Sequence, residues 1–350
     1  MSPTRLLLIS MYPLDAGIWG PTARITRLRD ELARIVDLDV IDGYRAARRR
    51  RLWRYAVSGR LRGLDGIYVE TSTFLPAESD IAVLGLARAL GIGVLTYVRD
   101  AYQLFPEDYP RDTAKRRLAA AAFVPAVRAL RAVSSSMAFP TAGLAHAVLG
   151  SDANTTVLLP PGAPAPVSVP RAPTANRMLY VGDARLPAHG ADRLIAAMEI
   201  ARAGGADLEL DIVSRPGQDP ATPHPPWMRV HRGEGPDIHA LLPAVVATVI
   251  PRPQTRYNDL ALPIKLFDYL SYGRPLIVTD CTEQARVVAE ADAGIVASDD
   301  PPALAAAIAR VASAKPEQIA RWSSGAAAAA RTASWEDRAR RIVNVLTSSS

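Results

Sequence analysis

The sequence predicts an α/β protein made of two Rossmann-like βαβ domains. Short apolar runs alternate with longer segments of helical period along the whole chain, which is the pattern of parallel sheets covered by helices. The alternation breaks once, at a proline-rich stretch near the middle, and then restarts. The 350 residues are enough for two cores and too many for one ordinary domain.

In the first half, strands are expected at 5–10, 37–41, 66–69, 93–98, 132–134 and 155–159. They are short, mostly apolar runs, too short for helices. Helices are expected at 22–35, 79–90, 113–130 and 137–149, where apolar residues recur at helical spacing. PPGAPAP from Pro160, followed by Pro170 and Pro173, fits neither a helix nor a central strand. The domains expected are therefore 1–160, a linker 161–176, and a second domain 177–331 followed by a terminal helix over 332–350.

The second half gives strands at 177–181, 208–213, 228–231, 245–250, 275–279 and 294–297. Helices are expected at 191–203, 238–242, 263–272, 282–289, 301–313, 316–331 and 334–346. In doubly wound sheets ligands bind beyond the carboxyl ends of the strands, so candidate residues are sought in the loops that follow them.

Composition excludes several classes. Apolar residues make up 49% of the chain and charged residues 22%, which is globular, and no apolar run approaches the roughly 20 residues of a bilayer span. The N-terminal apolar run is too short for a signal peptide and reads as a strand. Cys281 is the one cysteine, so a disulfide framework and a multi-thiolate zinc site are excluded, and a cytoplasmic location is expected. The five histidines fall at no metal-ligand spacing, and no metal or other cofactor is expected. Motifs of α/β-hydrolases, zinc peptidases, P-loop nucleotidases and Rossmann dinucleotide enzymes are absent.

The net charge of +6 belongs entirely to residues 1–160, while 161–350 are neutral. Eight arginines and no acid lie within 45–62. With Trp53 and other apolar residues interleaved, Arg48, Arg49, Arg50, Arg51, Trp53 and Arg54 are candidates for contact with an anionic membrane surface, which makes the protein peripheral on the inner face. A solvated basic helix is the other reading of this segment. Nucleic acid is not expected, because no nucleic-acid-binding motif accompanies the patch.

The first loop, DAGIWGPTAR from Asp15, carries Gly17 and Gly20 before Pro21. Such a turn offers free N–H groups to an anion or a hydroxyl-rich substrate, or it serves strand–helix packing alone. Asp100, directly after the strand over 93–98, is the best-placed acid for a general base; its other reading is a helix cap or an ion pair with Arg99. Glu107 and Asp108, between prolines, rank lower. His146 and His189 are expected to be structural or solvent-facing. Arg252 follows the strand over 245–250 and adds a cation there.

The most informative segment is NDLALPIKLFDYLSYGRPLIVTD, residues 258–280. It reads as a loop, a proline-started helix, a glycine stop and a buried strand. Lys265 near the helix start suits a phosphate, and Asp268 one turn on suits ribose hydroxyls; a surface ion pair between the two is the alternative. This segment resembles the P-x-K-x-x-E-Y-x-x-x-G-x-P-V-V signature of nucleotide-sugar-dependent glycosyltransferases of the GT-B fold, in particular the group 1 family. LYVGDARLPAHG at 179–190, VLLPPG at 157–162, AVSSS at 132–136 and SWE at 334–336 are similar to further family segments in the same order.

The resemblance implies two domains facing across a cleft and transfer of a sugar from a nucleotide sugar to a hydroxyl acceptor, lipid-linked, a glycan or a natural product. It implies that Lys265 contacts the donor diphosphate, that Asp268 holds the ribose, and that Gly182 lets its loop approach the diphosphate. It also implies that the terminal helix crosses back to the first domain. Three positions depart from the family. Asp183 stands where an arginine is usual, with Arg185 as a possible substitute; His189 replaces a lysine; and Leu260 replaces the first glutamate of E-x7-E. The last departure passes the sugar-holding role to backbone around Asn258. The departures keep open a catalytically silent scaffold or partner subunit, and the shared fold keeps open a non-hydrolysing nucleotide-sugar epimerase.

Overall fold

The computed structural model describes residues 3–14, 20–72, 75–170, 172–221 and 223–348. The chain divides into two units, one formed by 1–162 with 335–350 and the other by 163–334.

The first unit holds a parallel sheet of β1 (Arg5–Ser10), β2 (Asp37–Ile41), β3 (Gly66–Glu70), β4 (Gly93–Tyr97), β5 (Ser136–Phe139) and β6 (Val157–Leu158), in the order β2-β1-β3-β4-β5-β6. β3 and β4 are buried along their whole length, as expected for a sheet covered on both faces. Helices Gly20–Ile35, Arg45–Val57, Glu78–Ala89, Ala114–Ala132 and Ala142–Leu149 alternate with the strands.

Two expectations in this half are corrected. The strand expected at 132–134 lies at Ser136–Phe139, because the preceding helix runs on to Ala132 and Ser134 Oγ donates back to the Leu130 carbonyl at 2.7 Å. The next helix begins at Ala142 and not at Met137. Thr141 caps it, its side chain accepting from the Leu144 N–H at 3.1 Å.

The first unit is completed by the helix Trp335–Ser348. Trp335 closes over Gly162, where an added Cβ would lie 2.5 Å from its Cδ2. At the other end, Leu346 is seated on Gly66, where a Cβ would come within 2.9 Å of the leucine Cβ. Arg338 Nε donates to the Pro160 carbonyl at 3.1 Å. Leu346 is 1% exposed, so Leu346→Ala is expected to cost about 2–5 kcal/mol, read as earlier unfolding of the first unit in urea.

The second unit holds β7 (Arg177–Val181), β8 (Glu209–Val213), β9 (Met228–His231), β10 (Val245–Ile250), β11 (Leu276–Thr279) and β12 (Gly294–Ala297). They form a parallel sheet in the order β12-β11-β10-β7-β8-β9. The strand order reverses between β7 and β10, so the loops after these two strands flank the natural ligand crevice of this sheet. The proline-rich stretch is not a free tether. Val167 N–H donates to Ser271 O at 2.7 Å, Thr174 N–H to Pro243 O at 2.8 Å, and Arg274 Nη1 to Pro170 O at 2.9 Å.

Candidate functional site

Lys265, Tyr180, Arg252, Asn258 and His189 come together with two glycines where β7 and β10 end. Gly182 leaves β7 with φ 144°, and a Cβ there would lie 2.9 Å from Lys265 Nζ. The loop returns at Gly190, with φ +73°, to start the helix Ala191–Ala203. A Cβ on Gly190 would fall 1.7 Å from the Pro251 carbonyl oxygen, so only glycine lets the β7 loop lie against the β10 loop.

Lys265 sits in the first turn of the helix Ile264–Ser271, whose start has no side-chain cap, while the Leu266 N–H donates to the Pro263 carbonyl at 3.0 Å. Its Nζ is buried, makes no hydrogen bond among the described residues, and lies 4.8 Å from the centre of the Tyr180 ring. Burial, reinforced by the positive charge of Arg252 and opposed by Asp183, brings the Lys265 ammonium down to about 7. The surface ion pair with Asp268 is thus not what holds this lysine. Asp268 lies one turn further on the same helix and is half-buried.

Arg252, directly beyond β10, is 8% exposed. Its Nη2 donates to Asn258 Oδ1, while its Nη1 is buried and has no hydrogen-bond partner among the described residues. Asn258, expected in a loop, lies in the short helix Arg256–Leu260. It is fixed by Thr255 Oγ1, which accepts from its N–H at 3.1 Å, and by its Nδ2 donating to Pro253 O at 2.8 Å. Thr279 Oγ1 donates to the Arg252 carbonyl at 2.6 Å, and Gln284 Nε2 donates to the Thr279 carbonyl at 2.9 Å. These two buried residues set the position of Arg252, and sequence reasoning passed them over.

His189, expected to be structural or solvent-facing, is half-buried beside the cations. Burial first, then the charges of Lys265 and Arg252, lower the imidazole to about 4, so it is neutral at pH 7. Its Nδ1 lies 3.1 Å from the Asp183 carbonyl and therefore carries the ring proton. Arg185 is employed differently from expectation: its Nε donates to Asp219 O at 3.1 Å and its N–H to Asp183 Oδ1 at 2.9 Å. The cation that acts on Lys265 is Arg252.

In the first unit, Gly17 lies outside the described residues, and Gly20 opens the helix Gly20–Ile35. Asp100 is 7% exposed and paired with Arg99, whose Nη2 donates to Asp100 Oδ2 at 2.7 Å and to Tyr12 Oη at 3.1 Å. The carboxylate also lines a small cavity at the ends of β1, β3 and β4, with Met11, Thr71, Val98 and Phe123 among its neighbours. Among the described residues, no three His, Cys, Asp or Glu side chains gather as a metal site.

The basic segment is mostly internally paired, which corrects the set expected at a membrane. Arg48 is buried and forms a two-point pair with Asp80, at 2.8 and 2.6 Å. Arg49 pairs with Glu78 at 3.2 Å, and Arg51 with Asp42. Arg50, Trp53 and Arg54 remain on the surface.

Two parallel six-stranded sheets, one in each unit, match the fold of solved GT-B structures. Residues 175–314 match the family model described as "Glycosyl transferases group 1". Among solved structures, the chain is similar to sucrose-phosphate synthase from Thermosynechococcus elongatus, with 15% identity, TM-score 0.68, and coverage of 97% of this chain and 98% of that one. It is similar to HepE from Anabaena, solved with UDP and glucose, at 15% identity, TM-score 0.65, and 98% and 99% coverage. WaaG, described as a glycosyltransferase involved in lipopolysaccharide biosynthesis, matches at 15% identity, TM-score 0.63, and 98% and 99% coverage. No curated protein sequence matches the chain.

Proposed function

We propose that the protein transfers a sugar from a nucleoside-diphosphate sugar to a hydroxyl acceptor. The observation that carries this reading is a pair of basic side chains, Lys265 and Arg252, with buried nitrogens that no acceptor among the described residues satisfies. Leaving a buried charged donor unpaired is costly, and an oxyanion supplies the missing acceptors. The uncapped start of Ile264–Ser271 adds to that attraction. Asp268, on the next turn, is assigned to ribose hydroxyls, and the backbone near Asn258 to the sugar.

In the reaction, the acceptor oxygen attacks the anomeric carbon and the bond from that carbon to the phosphate oxygen breaks. The nucleoside diphosphate leaves with the bonding pair, and Lys265 and Arg252 stabilise the charge that grows on it. The acceptor proton goes to a base, assigned here to Asp100 on the first unit. The adjacent Arg99 holds that carboxylate in place, with Nη2 donating to its Oδ2 at 2.7 Å. The reading uses no metal, so EDTA should leave the rate unchanged.

HepE was solved with UDP, which makes UDP the first nucleotide to test. The test is thermal stabilisation by UDP, GDP and dTDP, followed by nucleoside-diphosphate release from the matching sugar donor. A selective shift with slow donor hydrolysis supports the enzyme. No shift with any of them points to a silent scaffold. Asp100→Asn should lower acceptor-dependent turnover by about 10²–10⁴-fold while leaving the thermal shift by nucleoside diphosphate intact; equal turnover would remove Asp100 from the mechanism.

A further inference from the structure

The helix Arg45–Val57 sorts its arginines by direction. Arg48, Leu52 and Tyr55, at i, i+4 and i+7, face inward and are buried. On one flank Arg45 and Arg49 pair with Glu78, at 2.5 and 3.2 Å, and on the other Arg51 pairs with Asp42. Successive helical residues turn by about 100°, so Ala46, Arg50, Trp53, Arg54 and Val57 share an arc of about 100° opposite the buried side. All five are exposed, Trp53 by 46% and Val57 by 82%. Tyr44, just before the helix, is 54% exposed. Among the described residues neither Arg50 nor Arg54 has an ion-pair partner, although every other arginine of the helix does.

The outward stripe thus combines two uncompensated cations with an indole and an aliphatic side chain between them. Water alone gives no reason to expose Trp53 and Val57 together. A nucleic acid would call for a longer track of cations, without an apolar ridge in its centre. A second copy would bring like charges together across a two-fold axis. A membrane interface satisfies both halves of the stripe, with arginines at headgroup phosphates and Trp53 and Val57 among the upper acyl carbons.

We propose that this stripe seats the first unit on an anionic lipid bilayer. The seat is independent of the donor site in the second unit. The whole chain would be floated with vesicles of phosphatidylcholine alone and of phosphatidylcholine mixed with phosphatidylglycerol. Wild type should bind the mixed vesicles and not the neutral ones, and salt should weaken the binding. At about 1 kcal/mol per arginine near such a surface, Arg50→Gln with Arg54→Gln should weaken partitioning by about thirtyfold. Trp53→Ala with Val57→Ser should also weaken it, with charge unchanged.

Lys115→Gln with Arg117→Gln removes two exposed cations elsewhere on the same unit and should change little. All six substituted side chains are exposed, and unchanged melting temperatures would show that the variants are folded. Absence of binding to the mixed vesicles overturns the proposal. So does an equal loss in the Lys115 and Arg117 control, or no effect of the Trp53 and Val57 pair. Binding of single-stranded RNA in place of vesicles, lost with Arg50 and Arg54, overturns it as well.

Discussion

Lys265→Met is expected to weaken binding of the preferred nucleoside diphosphate by about 30- to 1000-fold, the range for removing one charge-assisted partner in a buried site. The same substitution should make the ligand-free protein more stable. A free lysine titrates near 10.5, and this one near 7 in the folded protein. Between those values the unfolded chain holds a proton that the folded one does not, so stability contributed by this position rises with pH and is lowest below about 7. Methionine removes that burden. Binding reverses the preference, because a diphosphate favours the protonated amine. In wild type, affinity should therefore fall with pH above about 7, by up to tenfold per unit, with a proton taken up on binding. Calorimetry in buffers of different ionisation enthalpy measures that uptake. A flat pH profile between 7.5 and 9, shared by wild type and Lys265→Met, would refute the assignment.

Gly190→Ala should be among the most damaging single-methyl additions in the second unit. The new Cβ would lie 1.7 Å from the Pro251 carbonyl oxygen, at a backbone angle that L-residues avoid. Side-chain repacking gives no relief, because the obstacle is backbone. The expected cost is about 3 kcal/mol or more in denaturant unfolding, with nucleoside-diphosphate binding lost because Arg252 follows the displaced carbonyl. Gly205→Ala is the internal control. It has a positive φ of +91° and nothing within 4 Å, so it should cost only the backbone share, about 1 kcal/mol. If the two substitutions cost the same, the close approach of the two loops is not what fixes the site.

Most of the framework was legible from local pattern. β1, β2, β7, β9, β10 and β12 begin and end where the apolar runs do. The slip at β5 came from AVSSS, where the helix carries on through the first apolar pair and the strand begins at the third serine. Lys265 stood out in the sequence because a helix start has a local signature, whereas Gly182 was singled out only through the family resemblance. What local reasoning missed depends on tertiary burial. His189 becomes a neutral member of the site only because Lys265 and Arg252, distant in sequence, stand beside it. Arg185 looked like a second cation until the β8 loop supplied the Asp219 carbonyl. In the basic helix, the acids that neutralise Arg48, Arg49 and Arg51 lie at 42, 78 and 80, outside the segment itself.

The helix Trp335–Ser348 also has a consequence for how the protein is made. The first unit needs Trp335 over Gly162 and Leu346 on Gly66, yet residues 163–334 are synthesised in between. At translation rates of about 5–20 residues per second, the β1–β6 sheet waits about ten to thirty seconds for its last helix, while the second unit is contiguous and can close first. Until then the surface around Gly66 is a bare apolar seat on a nascent chain. A nonsense mutation just before Trp335 would therefore spare the second unit and leave the first permanently unfinished, a substrate for chaperones and proteases.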